Sequence, residues 1–273
     1  MSAPTARGAP PTLQPARRRW LPVLGFWWLQ YRRTWVSSVV SRFLMPLMFL
    51  LSLGLMLGSL VDRSAGGVDG VPYLHYVVPG ILAAQAMWAA LTESTYSVLG
   101  AIRWTRQYHA MLATPIGVAD VLAGHLAYVA LSLTLGTVAF VAVAALFGAW
   151  ASWGVLLAIP VAVLTGMAFA APCFAVAARF TDSADTSFSV IYRLVVTPLF
   201  LVSGTFFPVE QLPALLRPVA WVTPLWHGVE ACRALTSPAP AWAAVAGHVA
   251  VLALMTAAGL WWARRAFTRR LVV

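Results

Sequence analysis

Lysine is absent from the 273 residues, so all 18 basic side chains are arginine. A phosphate-binding loop of the GxxxxGK[ST] kind is thereby excluded, and with it ATP hydrolysis by that device. Charge of either sign is scarce at 10% of residues, against about one-quarter in a soluble domain, so water is not the solvent of this chain. The eight acids do not gather on one helical face, and neither HExxH nor GxSxG occurs. Asp182 and Asp185 stand close, but Thr181 to Ser187 reads as a polar turn with a helix N-cap. Cys173 and Cys232 supply neither a disulfide framework nor metal-ligand spacing. His75, His109, His125, His227 and His248 are scattered and read as packing or interfacial residues, so no metal and no cofactor is expected on this chain.

Hydrophobic residues make up 61% of the sequence and fall into six apolar stretches, near 43–61, 76–100, 121–147, 154–178, 188–204 and 241–262. About 20 apolar residues cross the hydrocarbon core, so these are six expected transmembrane helices. No polar block is long enough for a second folded unit. The expected fold is all-α and integral to the membrane. Its parts are a disordered tail at 1–19, an amphipathic interfacial helix at 20–40, a transmembrane domain at 41–265 and a tail at 266–273. The first apolar run meets Arg32 and Arg33 with no small-residue cleavage site, so a cleaved signal peptide is not expected.

The net charge of +10 suggests nucleic acid at first sight, but the arginines flank the apolar stretches, where they anchor against anionic headgroups. With the N-terminus inside, 14 arginines fall on the inner side, three (Arg63, Arg217, Arg233) on the outer side, and Arg193 within the fifth span. That asymmetry, with six spans, puts both termini in the cytoplasm.

Three segments carry more than span length. In residues 20–40, Trp20, Leu24, Trp27, Trp28, Tyr31 and Trp35 form an aromatic stripe, with Arg32 and Arg33 mostly off it; this is the pattern of an interfacial helix. The inner loop holds Trp104, Tyr108, Met111 and Leu112 on one side of an expected short helix, with Arg103, Arg106 and Gln107 elsewhere. The run from Ser203 to residue 240 places Pro208, Pro213, Pro218 and Pro224 among Phe206, Phe207, Trp221 and Trp226. It is too broken for one span and too apolar for a solvated loop, so re-entrant helices are expected there. Glu93 and Arg193 lie inside spans two and five, about 10 Å from the inner end at ~1.5 Å per residue. Charges at such depth are expected to pair with each other or to face a water-filled path; otherwise Arg193 would snorkel to the headgroups, and Glu93 would be protonated or hydrogen-bonded to Thr92 and Ser94 neighbours on adjacent helices.

Tyr108-His-Ala-Met-Leu-Ala-Thr-Pro-Ile116, Leu201-Val-Ser-Gly-Thr-Phe-Phe-Pro208 and Pro224-Leu-Trp-His-Gly-Val-Glu230 with Arg233 resemble the permease subunits of ABC-2-type transporters. The likeness covers residues of about 20–265 and is nearest to the branch of nodulation-factor (lipo-oligosaccharide) and daunorubicin-type exporters. It implies a bacterial plasma-membrane exporter of amphiphilic or lipid-linked molecules. It also implies two permease chains as a homodimer, membrane lipids around them, and two cytoplasmic ATPase subunits carrying ATP and Mg. Arg32, Arg33, Arg103, Trp104, Arg106, Tyr108, His109 and Met111 would then couple the ATPase to the spans. Phe43, Met45, Met48, Phe49 and Met56, with Phe200, Phe206 and Phe207, would line the path. Pro208, Glu210, Trp226, His227, Glu230 and Arg233 would belong to the re-entrant cap. Many relatives carry an acid a few positions before the Thr-Pro; here the stretch is Gln107-Tyr-His-Ala110, which leaves Arg103, Arg106 and His109 as polar contacts. Rival readings are a membrane enzyme using His227, Glu230 and Arg233 on lipids, and a non-catalytic scaffold.

Overall fold

The computed structural model describes residues 18–68, 70–180 and 184–271, leaving aside the side chains at 34–43, 45–46, 49, 53–55, 65 and 184–186. Among them the only strand-like pairing is a bridge between Val68 and Val71. Helix α1 (Trp20–Phe49) continues through a π-helical stretch, Leu50–Leu57, into α2 (Gly58–Ala65). The expected interfacial helix and the expected first span therefore form one helical run. No proline or glycine falls between Gly25 and residue 46 to separate them.

Next come α3 (Tyr73–Ser94) and α4 (Tyr96–Arg103), separated only by the distorted Thr95, then the short α5 (Gln107–Leu112). Helices α6 (Val118–Leu146) and α7 (Val155–Arg179) are long. Then α8 (Ala184–Ile191) passes through a second π-helical stretch, Tyr192–Val196, into α9 (Thr197–Val202). The broken segment holds a 3₁₀ turn at Val209–Gln211, α10 (Arg217–Val222) and α11 (Pro224–Thr236), before α12 (Trp242–Leu271) closes the bundle.

Four helical runs are long and apolar enough to cross a membrane: Tyr73–Arg103, Val118–Leu146, Val155–Arg179 and Trp242–Leu271. They coincide with the second, third, fourth and sixth expected spans. The fifth stretch is a shorter apolar helix, Ser187–Val202, and much of the first lies outside the described side chains.

Helix α7 is the centre of the bundle, with α3, α6, α11 and α12 against it. Its neighbours come close because small residues face one another, the usual device where lipid offers no hydrophobic drive between helices. A Cβ on Gly259 of α12 would stand 2.7 Å from Pro172 Cδ of α7. One on Gly166 of α7 would stand 2.9 Å from the Ala86 carbonyl of α3. Buried side chains form two main clusters stacked along the bundle. One joins Val77, Leu82, Met87, Phe140, Leu225 and Leu235 near the broken segment. The other joins Trp27, Tyr108, Leu133, Phe174 and Phe267 near the arginine-rich end.

Candidate functional site

At the arginine-rich end, four long helices and α5 meet in one aromatic hub. The His125 imidazole of α6 stacks on Trp27 of α1, with centroids 3.8 Å apart and planes 13° from parallel. Phe174 of α7 meets His125 edge-on at 5.0 Å, and Phe267 of α12 lies 5.6 Å from Tyr108. Tyr108 is fully buried, and its hydroxyl shares a short hydrogen bond with His125 Nδ1. Burial raises the Tyr108 pKa well above its ordinary value, so the phenol stays protonated. Tyr108 thus fastens α5 to the bundle from inside.

This changes the expected geometry of the loop. Trp104 does not share a side with Tyr108, because α4 ends at Arg103 and Arg106 takes a left-handed conformation (φ 50°) before α5 begins. That turn leaves Trp104 61% exposed and sends Tyr108 inward, with Met111 half-buried. Arg106 and His109, with Ala110, Ala113 and Thr114, make up the open face, while Arg103 is half-buried. Arg32 and Arg33 are exposed on α1.

A groove of about 310 Å³ opens beside the hub between α1, α3, α4 and the following turn. Glu93 and Gln30 face it together with Tyr31, Tyr96, Trp104 and Tyr128. Ser132 Oγ donates to Glu93 Oε1 at 3.2 Å. Arg193 is exposed on the π-helical stretch of the fifth apolar helix, and among the described contacts no ion pair joins it to Glu93. Glu93 thus accepts from a hydroxyl on the neighbouring α6, one of the alternatives expected for it, and the direct pair with Arg193 is not formed.

At the other end the Ser-Gly-Thr-Phe-Phe-Pro run has a mechanical explanation. Gly204 adopts φ +79°, a conformation costly for residues with a Cβ, and turns the chain out of α9. Arg233 of α11 reaches across to it, Nη2 donating to the Gly204 carbonyl at 2.9 Å. The same guanidinium pairs with Glu230 at 2.6 Å and stacks on the Tyr76 ring of α3, 3.9 Å from its centroid. Tyr73 of α3 adds a hydroxyl bond to the Phe206 carbonyl at 3.4 Å. One half-buried arginine thus latches α11, α3 and the Gly204 turn.

His227 does not join Glu230 and Arg233 in a catalytic cluster. It pairs with His248 of α12, Nδ1 to Nδ1 at 2.9 Å, beside Trp226. Burial first, then the nearby His248, lowers the His227 pKa. A histidine held neutral in the fold contributes stability fully above its free pKa of about 6.5, and loses it as pH falls through the lower folded value. The thermal midpoint of the purified chain is expected to drop between about pH 7 and pH 5. His227→Gln should flatten that slope in melts across the same range; an unchanged slope would remove the pair from the explanation.

The expected path residues divide. Phe200 and Phe206 pack into an aromatic ladder, Phe200 lying 5.9 Å from Trp88 and 5.1 Å from Phe206, with Tyr192 stacked on Trp88 at 6.0 Å. Phe207, Met48 and Met56 are exposed, Met56 at 74%. The side chains of Phe43, Met45 and Phe49 lie outside the described residues. Pro208 is half-buried in the broken segment and Glu210 is exposed, its carbonyl taking a bond from Arg217. Sequence reasoning missed the convergence of Trp27, His125 and Phe267 on Tyr108. The aromatic stripe of residues 20–40 was the one available signal, and it did not name the partners.

The ABC-2 type transporter family pattern matches residues 24–236. Nodulation protein J of Rhizobium leguminosarum bv. viciae is 34% identical over 245 residues, spanning 89% of this chain and 91% of that protein. Nodulation protein J of Sinorhizobium fredii is 31% identical over 86% of this chain and 87% of its own length. The inner membrane transport permease YadH of Escherichia coli is 24% identical over 78% and 82% respectively. No solved structure matches the chain. A membrane-embedded helical bundle with this sequence match belongs to the ABC-2 type transporter family, as a transport permease.

Proposed function

We propose that this chain is the membrane subunit of an ATP-driven exporter in the bacterial plasma membrane. It carries amphiphilic or lipid-linked molecules outward, the lipo-oligosaccharide, drug and envelope-lipid classes being the family's range. In this reading it has six spans, both termini are cytoplasmic, and α10 and α11 form a re-entrant cap on the outer side. Two copies form the path, and two separate ATPase subunits dock against the inner loop and supply ATP and Mg.

The observation that carries the reading is the loop α5. One face is fixed through Tyr108 to a hub touching α1, α6, α7 and α12, while the opposite face is open. A partner that pushes on the open face moves the helices together. Such a push shifts the inward–outward equilibrium only if the partner binds the two states differently, which nucleotide-driven closure of an ATPase pair provides.

The test is purification of the tagged chain from its native membrane. An ATP-hydrolysing chain is expected to come with it; its reproducible absence would refute the reading. The double change Arg106→Glu with His109→Asp is confined to the open face and should cut the copurified ATPase by about tenfold, since reversed charge at a docking rim opposes association. The melting temperature should not move.

A further inference from the structure

The arginine-rich end of α12 has two unlike flanks. Gly259, Ala263, Ala266 and Phe267 are buried against the bundle. Trp261, Arg264, Arg265, Thr268 and Arg269 recur at spacings of three and four, so they share the other flank, and all five are exposed. Together they line a shallow recess of about 420 Å³. Its charge is of one sign, three guanidiniums with no carboxylate. Among the described contacts none of the three enters an ion pair. The recess is also organised in advance. The Arg265 guanidinium lies over the Trp261 ring, 3.8 Å from its centroid, which fixes the plane of its donor fork. The Thr268 hydroxyl donates back to the Arg264 carbonyl at 2.9 Å, so the guanidiniums are the donors a ligand would meet. Position says which anion that is. Trp242–Leu271 is one of the four membrane-crossing runs, and its apolar character ends at Ala263. Trp261 marks that boundary, which puts the arginines at headgroup level. Toward the membrane centre the same flank continues as exposed Leu254, Ala257 and Ala258. A cationic recess that opens onto a smooth apolar track fits a phosphate with acyl chains attached.

We propose that this flank of α12 is a discrete binding site for one anionic phospholipid. Arg264, Arg265 and Arg269 hold its phosphodiester, and its acyl chains lie along Ala257 and Leu254. Diffuse attraction between arginines and a charged leaflet treats every arginine alike and does not saturate. A built recess differs on both counts: it takes one lipid per chain and gives neighbouring arginines unequal weight. Arg270 supplies the comparison, because it is exposed on the same turn and does not line the recess. The site goes beyond the exporter reading and does not depend on it.

The full chain in detergent is titrated with dioleoylphosphatidylglycerol, and bound lipid is counted by native mass spectrometry. Binding is expected to saturate at one lipid per chain. Dioleoylphosphatidylcholine, with the same acyl chains and no net charge, should bind about tenfold more weakly. Arg265→Gln should weaken phosphatidylglycerol binding about tenfold, the loss of one charge-assisted contact to phosphate. Arg270→Gln removes the same charge from the same turn and should change it less than about twofold, since a charge off the site is screened. Trp261→Ala should weaken it about threefold by freeing the stacked guanidinium. The melting temperature should not move, because all three side chains are exposed. If Arg265→Gln fails to fold, Arg269→Gln repeats the comparison with Arg270→Gln. Equal losses at Arg265 and Arg270, binding that does not saturate, or equal retention of phosphatidylcholine would overturn the site. So would an Arg265→Gln chain that keeps its lipid and loses a copurified ATPase, which would give the flank to a protein partner. Absence of any copurifying ATPase refutes the exporter reading and leaves the lipid count as it is.

Discussion

Arg233→Ala is expected to lower the melting temperature of the purified chain by about 4–8 °C, the shift for ~2 kcal/mol in a chain of this size. Breaking a buried ion pair from one side costs about 3–5 kcal/mol, and the lower figure allows for water at this one. The Arg233 and Glu230 side chains retain 18% and 33% of their exposure. The loss would exceed that of a surface pair because Arg233 also holds the Gly204 carbonyl and stacks on Tyr76. Three consequences separate this from a general loss of packing. Adding Glu230→Gln to the alanine variant should recover part of the loss, since it removes the charge that Arg233 had balanced. Arg233→Lys should rescue poorly, because an ammonium lacks the planar fork that meets carbonyl, carboxylate and ring together. Transport should fall further than stability, since the Gly204 turn and α11 would no longer move as a unit. Full activity and an unshifted melt for Arg233→Ala would show that the latch is ornamental.

Tyr108→Ala is expected to cost about 3–5 kcal/mol, the range for removing a large buried aromatic. Partner-stimulated ATP hydrolysis should fall to the basal rate even where the spans still insert. Tyr108→Phe keeps the ring and loses only the hydroxyl. It should cost about 1–3 kcal/mol, because His125 Nδ1 is then left buried without its partner. Met111, half-buried, should give intermediate losses as Met111→Ala. An acidic substitution at Tyr108 does not test docking: the residue lies inside the bundle, so a charge there breaks the fold before any partner is met.

Four spans were legible because length and apolar content alone define a helix that crosses lipid. The break after Val202 was legible from its prolines and glycine, and the family from three short motifs around Tyr108, Gly204 and Arg233. What escaped was whatever depends on partners far apart in the chain. The helical wheel for the inner loop assumed an unbroken helix from Trp104 to Leu112, and the left-handed turn at Arg106 defeats that assumption. Nothing local to Glu93 distinguishes Ser132, 39 residues away, from Arg193 as its companion. Residues 20–40 suggested a separate interfacial helix because Arg32 and Arg33 interrupt the apolar pattern. The structure carries the helix past both, and they are exposed while Trp27 is buried.

The two wide-turn stretches, Leu50–Leu57 and Tyr192–Val196, fall within the first and fifth apolar helices. Each holds surplus backbone relative to an ordinary helical register. Letting one surplus residue slip out of such a coil would swivel everything on one side of it by about 100°. Met48 precedes the first coil and Leu60 follows it, both exposed, so a single slip would re-aim one against the other without melting a turn. A conduit built this way can exchange the surface it shows its cargo by screw motion alone.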